Sequence, residues 1–310
     1  MGEPLANPRL SRYFASWIAI AGFGWIAVAG CSSIRSGTSN ATVPGGERAQ
    51  IATTVPKKPG GLHAPLRVSK FAFYANIPLD ADDPVFRDLE ELPDQIQREL
   101  RLPASNTVVQ VYLFEDQDKY EAFMRDRFPW LPSRRAYFIT DQKRPGTADD
   151  LQVYTFYGEH LRTDLRHELT HALLHSVLKG VPLWLDEGLA GFFEQPLTNG
   201  GINPEHLDKF RRTPQSADLA RLERIQKVEQ MEKPEYREAW AWVHFMLRAD
   251  SRTREVILQY LQELRENPNP GPVLPRLKTA IGEPIPMLSD YLTRLTISTP
   301  VTNATRTTRP

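Results

Sequence analysis

Arg166-His167-Glu168-Leu169-Thr170-His171 places two histidines four residues apart, with a glutamate directly after the first. On an α-helix, side chains at i and i+4 share a face, so both imidazoles can reach one ion. Glu168 projects off that line, near a water at the ion but angled away from ligation. That is where a general base belongs in metal-assisted hydrolysis. A third donor follows in Trp184-Leu185-Asp186-Glu187-Gly188. The fifteen residues from Ala172 to Asp186 accommodate a helix end, the turn Lys179-Gly180-Val181-Pro182 and one further helical turn, which aims Glu187 back at the ion. His167, His171 and Glu187 would leave one coordination position open, the pattern of a catalytic Zn2+ site. The plainer reading is surface or core polar residues, since H-E-x-x-H arises by chance in roughly one chain in a hundred at ordinary His and Glu usage. An apolar helix around the motif, followed by a second helix with a carboxylate, favours the metal.

The elements that must position these residues read as follows. Leu161 to Leu178 carries Leu161, Leu165, Leu169, Ala172, Leu173, Val177 and Leu178 at helical spacing, ended by Gly180 and Pro182. Leu183 to Glu194 is the second helix. Upstream, Arg67 to Leu79 alternates as a strand, and Asp83-Pro84 opens a helix that Pro93 kinks or splits. Thr107 to Phe114 is a strand, Glu115 to Arg127 a helix, and Ala136 to Ile139 and Leu151 to Phe156 are strands about the polar turn Asp141 to Asp150. Downstream, helices are expected at Asn203 to Arg212, Asp218 to Glu232, Pro234 to Leu247, Thr253 to Glu266 and Ile285 to Thr296. The fold class is α+β: a small mixed β-sheet, the metal-site helix, then a mainly α-helical C-terminal subdomain.

H-E-L-T-H followed by W-L-D-E-G-L-A resembles the gluzincin metallopeptidases, which include thermolysin and aminopeptidase N. It is also similar to bacterial peptidase-MA-like proteins, many of them lipoproteins. The resemblance spans residues of about 65–265 in layout and is specific at the two motifs. It implies a thermolysin-like active-site core, zinc held by His167, His171 and Glu187, and Glu168 as catalytic base. It also implies a downstream Tyr or His that donates to the oxyanion, for which Tyr236 and His244 are the candidates; the alternative for both is packing of an aromatic helix. Such sheets commonly offer an edge strand to substrate, and Leu151 to Phe156 is the candidate. Two departures stand out. The spacing from His171 to Glu187 is a few residues shorter than in thermolysin, and the position of thermolysin's orienting Asp is Gly191 here. Asp164, Asp186 and Glu194 are the candidates to orient the ligand histidines instead. His175 continues the i+4 series a full turn beyond the ion and reads as a helix-surface or supporting histidine. His63, His160 and His206 lack a supporting pattern, and the aminopeptidase glycine-rich motif is missing.

Lys+Arg and Asp+Glu both number 38, so no charge excess points to nucleic acid. The single cysteine, Cys31, excludes an intrachain disulfide and a cysteine-rich metal site. Arg9 and Arg12 precede an uncharged run from Tyr13 to Gly30, which ends in Val28-Ala29-Gly30-Cys31. This reads as an export signal with a lipobox, residues 1–31, lipidated on Cys31; the alternative is an uncleaved membrane anchor. Ser32 after the cysteine points to an outer membrane if the cell has two. Residues 32–66, rich in Ser, Gly, Thr and Pro, read as a flexible tether spanning on the order of 30 Å. Residues 67–296 form the expected peptidase domain, and 297–310 a frayed tail. The expected function is zinc-dependent peptide-bond hydrolysis by an exported enzyme that is tethered to membrane lipid and acts on a peptide or protein. The alternative is an inactive lipid-anchored binding or scaffold protein that keeps the fold.

Overall fold

The computed structural model describes residues 63–140, 151–212 and 217–296. Cys31 with its signal, most of the tether, the 141–150 turn and the 297–310 tail lie outside them. Chain order begins with a tight hairpin of β1 (Leu66–Val68) and β2 (Phe71–Ala75), turned through Ser69 at φ 50°. The alternation over Arg67 to Leu79 is thus two short strands and not one long one. The folded part starts earlier than Arg67, because the His63 amide already donates to Ala75 O at 2.9 Å.

Pro93 splits the next helix. α1 (Pro84–Glu90) is capped by Asp83, whose carboxylate accepts from Val85 N, and α2 (Leu92–Leu100) carries the proline in its first turn. β3 (Val109–Phe114), α3 (Gln117–Arg127), β4 (Ala136–Thr140) and β5 (Leu151–Phe156) complete the sheet region. The order is β1-β2-β3-β5-β4, with β2, β3 and β5 parallel and the two outer strands antiparallel to their neighbours. β5 therefore lies inside the sheet. The edge beside the metal-site helix is β4, which corrects the assignment of Leu151 to Phe156 as the edge.

Both faces of the sheet are covered, so the strands read as nearly continuous apolar runs. On one face α3 packs on stacked Tyr74, Tyr112 and Tyr154, with successive ring centroids 5.4 and 5.0 Å apart. The other face, with Val111, Phe138 and Val153, joins a core that runs without a break into the helical half. At its centre lies α4 (Leu161–His175), buried from Leu161 through Leu174 except at Arg162 and Thr163. Arg166 is fully buried within it, yet every face of its guanidinium is engaged. It donates to Phe193 O at 2.7 Å, Asp88 Oδ2 at 3.0 Å and Gln95 Oε1 at 3.0 Å. One side chain thus ties α4 to α1, α2 and the end of the following helix.

That helix, α5 (Leu183–Phe193), is buried at all eleven positions. It packs against α8 (Lys233–Arg248) through small residues: a Cβ at Gly188 would sit 2.6 Å from Ala239 O and 2.7 Å from Val243 Cγ2. α6 (Pro204–Arg212), the short α7 (Leu219–Leu222), α9 (Ser251–Glu266), α10 (Leu274–Ile281) and α11 (Pro284–Arg294) close the helical half. The continuous helix expected over Asp218 to Glu232 is instead α7 and a 3-10 turn at Val228–Gln230, and α10 was not anticipated. Glu99 on α2 accepts from Arg248 at 2.5 Å and Arg254 at 3.0 Å, clamping the sheet layer to α8 and α9. Among the described residues no helix is long and apolar enough to cross a membrane.

The α5–α8 contact yields a paired prediction. Gly188→Ala forces a methyl into backbone and should destabilise the protein by about 1–3 kcal/mol. Gly191→Ala, whose Cβ would meet Trp240 at an ordinary 3.7 Å, should be neutral or stabilising by up to about 1 kcal/mol. Denaturant melts of the two variants check the difference.

Candidate metal centre

α4 and α5 run into one another across the Lys179–Pro182 turn, and the contact brings His167, His171 and Glu187 together. Their donor atoms all lie within 4.8 Å of one another. The residues are 4%, 0% and 2% exposed, and Glu168 between the histidines is 0% exposed. Glu187 Oε2 stands 3.4 Å from His167 Nε2 and 3.7 Å from His171 Nε2. Ligand atoms at about 2.0–2.2 Å from one tetrahedral ion would be about 3.3–3.6 Å apart. The two Glu187 contacts fall within or close to that range, so the group could hold a metal ion.

The hydrogen bonds support the same conclusion. Each imidazole turns its other nitrogen to a carboxylate of the α5 segment. His167 Nδ1 donates to Glu194 Oε2 at 3.3 Å, and His171 Nδ1 faces Asp186 Oδ1 at 2.9 Å. An ionised carboxylate only accepts, so in the neutral form that a metal requires both imidazoles would carry the proton on Nδ1 and turn the Nε2 lone pair into the cluster. There His167 Nε2, His171 Nε2 and both oxygens of Glu187 have no hydrogen-bond partner among the described residues. Buried polar atoms left unpaired cost about 1–3 kcal/mol each, and a shared cation would satisfy all of them at once. The residues fit a divalent metal.

Electrostatics in the metal-free protein follow from this crowding. Burial opposes charge on His167, but the adjacent carboxylates of Glu187 and Glu194 outweigh it and hold the imidazolium up to about 10. His171 is also raised, against burial, by Asp186 and Glu187. Asp186 is held well below the usual carboxylate range: burial works against its charge, and His171 and His175 more than offset it. Burial pushes the Glu168 carboxyl up to about 7, against the pull of His167 and His171. Glu168 has both oxygens without a hydrogen-bond partner among the described residues and lies beside the Phe138 backbone of β4. A carboxylate poised near neutrality next to the open ligand position is suited to move protons.

Of the three orienting candidates, Asp186 and Glu194 touch the ligand histidines. Asp164 does not take that part: Arg135 holds it through Nε at 3.0 Å and Nη2 at 2.6 Å, pinning the start of β4 to α4. Tyr236, on the first turns of α8, lies among Arg134, Glu187 and Glu168. Burial, then the charge of Glu187, pushes its phenol up, so it remains a neutral donor. His244 goes elsewhere. It is buried in the core, with its ring on Trp240 and Phe192 at 5.2 and 5.8 Å and its Nδ1 on Tyr291 Oη at 2.8 Å. Its hydrogen bond points to α11 and not to the ligand cluster, which corrects its placement as an oxyanion donor.

Sequence reasoning passed over Arg134. It sits just before β4, its guanidinium 6.0 Å from the Tyr137 ring and within the field of Tyr236 and Glu187. The only signal was the Arg134-Arg135 pair opening a strand, and nothing local tells such a pair from surface charge. His175, read as a surface or supporting histidine, donates from Nε2 to Asp186 Oδ2 at 2.9 Å.

A family model described as "Protein of unknown function (DUF1570)" matches residues 163–269, from within α4 to just past the end of α9, and so contains all three ligand residues. No curated protein matches the chain.

His244, buried, and His206, half-buried, lie off the ligand set, and they set an acid limit. Burial depresses His244 to about 3 and His206 to about 4. Both bind fewer protons folded than unfolded below the free value near 6.5. Their stabilising effect is complete above pH 6.5 and is lost as pH falls toward 4 and then 3. Their imidazole NMR signals should not titrate between pH 8 and 5. His244→Gln should flatten the acid limb of the stability–pH curve by up to about 1.4 kcal/mol per pH unit.

Proposed function

We propose that the protein is a zinc-dependent peptidase with a thermolysin-like active-site core, exported and tethered to membrane lipid through Cys31. The observation that carries this reading is the convergence, within 4.8 Å, of two Nε2 atoms and the Glu187 carboxylate, none with a hydrogen-bond partner among the described residues, beside Glu168. Two imidazoles and one carboxylate suit zinc over the harder cations, which prefer all-oxygen sites. The H-E-L-T-H and W-L-D-E-G-L-A motifs that resemble gluzincins are the segments that form the cluster.

Zn2+ held by His167, His171 and Glu187 supplies Lewis acidity toward water and the scissile carbonyl. The remaining work belongs to side chains. Glu168 takes a proton from the attacking water and delivers it to the departing amine. Tyr236 donates its hydroxyl to the oxygen on which negative charge develops, and the Arg134 guanidinium beside it adds positive potential. Asp186 and Glu194 keep both imidazoles in the ligating tautomer. An extended peptide adding along edge strand β4 would run past Phe138 and hence past Glu168.

Glu168, buried beside the cluster with no hydrogen-bond partner among the described residues, favours this over an inactive scaffold, which has no need of a carboxylate there. The purified protein should take up one equivalent of zinc. Glu168→Gln should retain the metal and cut hydrolysis of a quenched-fluorescent peptide library by about 10²–10⁴-fold. Tyr236→Phe should lower kcat by about 10²–10³-fold with little change in KM. Failure to bind zinc would leave the lipid-anchored binding or scaffold reading. Full activity in Glu168→Gln would sink the mechanism.

A further inference from the structure

The support of the ligand histidines reaches one side chain beyond the carboxylates. His175 is the last residue of α4, one turn past His171. Its Nε2 lies 2.9 Å from Asp186 Oδ2, while the other oxygen of that carboxylate faces His171 Nδ1 at 2.9 Å. One oxygen of this buried carboxylate is thus held by the His175 hydrogen bond, and the other lies in ion-pair contact with an imidazole of the same helix. Because Asp186 accepts, His175 carries its proton on Nε2. A single ring, Phe138, braces the pair: it stacks on His171 at 6.3 Å with an interplanar angle of 12°, and lies 5.4 Å from His175.

A carboxylate with one oxygen satisfied and the other bare in a dry interior turns to find a second donor. Here that donor is already in place. We propose that His175 is a positioning residue: its N–H fixes Asp186 against His171 and thereby sets how tightly the His167–His171–Glu187 group holds its metal. The proposal deepens the zinc reading and rests on it. Partners one layer outside metal ligands typically change affinity by about 10–100-fold. His175 acts through a carboxylate and not on the ligand directly, so the lower end of that range applies.

The test compares the full-length protein with His175→Phe, His175→Met and His175→Gln. Phe and Met fill the space without a donor, and the Gln amide reaches roughly the place of Nε2. Zn2+ affinity is measured by competition with a chromophoric chelator. The His171 Nδ1–H proton is observed by ¹H NMR in the metal-free protein, with circular dichroism to verify folding. Phe and Met should weaken zinc binding by about 10-fold and lose the N–H signal to exchange, and Gln should restore both. Wild-type affinity with a retained N–H in a folded donor-less variant would overturn the proposal. So would a folded Gln variant as weak as Phe, since packing on Phe138 would then be the whole effect. If the wild type takes up no zinc, the peptidase reading falls and the N–H signal alone decides the role of His175.

Discussion

The constraint on which the structure depends is the cost of keeping several ionisable side chains unpaired in a dry interior. Three imidazole nitrogens of His167 and His171, both oxygens of Glu187 and both of Glu168 meet no hydrogen-bond partner among the described residues. Each such group costs about 1–3 kcal/mol or more if charged, against a net stability of about 5–15 kcal/mol for a whole domain. A chain under ordinary selection for stability would fill that space with leucine. The surrounding structure carries the cost through broad apolar burial: α5 is buried at every position, and α4 nearly so. It also recovers electrostatic energy one step out, at Asp186 and Glu194.

α5 is where these demands meet. Within nine residues, from Asp186 to Glu194, it supplies one ligand and both orienting carboxylates. Its backbone must come close to α8, which Gly188 permits, and its end must be held at a fixed distance from α4, which the Arg166 bond to Phe193 O provides. The Arg166 guanidinium sits directly before His167 in sequence, so the helix that presents the ligands is clamped at the turn that presents them. Rigidity at the ligands thus comes from contacts that are themselves buried and saturated.

The centre of the site was legible in the sequence because its determinants are local. A four-residue histidine spacing fixes a shared helix face, and a short turn limits where Glu187 can go. The outer parts depend on which element approaches from across the chain. Asp164 and Asp186 are equally plausible on paper; Arg135, 29 residues from Asp164, decides between them. His244 and Tyr236 both lie on α8, but α11 packs over one and Arg134 lies beside the other. The sheet edge was misplaced for a related reason. β4 and β5 are consecutive, and only the insertion of β5 between β3 and β4 leaves β4 outermost. Helix periodicity placed α4, although its burial on nearly all sides blurs any polar face. The short α7 and α10 are held by tertiary bonds, such as Arg221 on Glu238 and the Glu223 carboxylate on the α10 amides, which no local pattern announces.

Gly191, the departure from the thermolysin-like pattern, now has a physical account. Positions 187, 191 and 194 lie on one side of α5, at i, i+4 and i+7. An Asp at 191 would orient a ligand histidine from one turn below Glu187. In this chain the task passes to Glu194, a turn further on, whose longer side chain covers the added distance to His167 Nδ1. His171 is served by Asp186, the residue before the ligand. That division frees position 191 to face Trp240, whose Cβ would lie 3.7 Å from any Cβ placed there. The small residue therefore belongs to the α5–α8 packing, while the carboxylates on either side keep the tautomers that a metal requires.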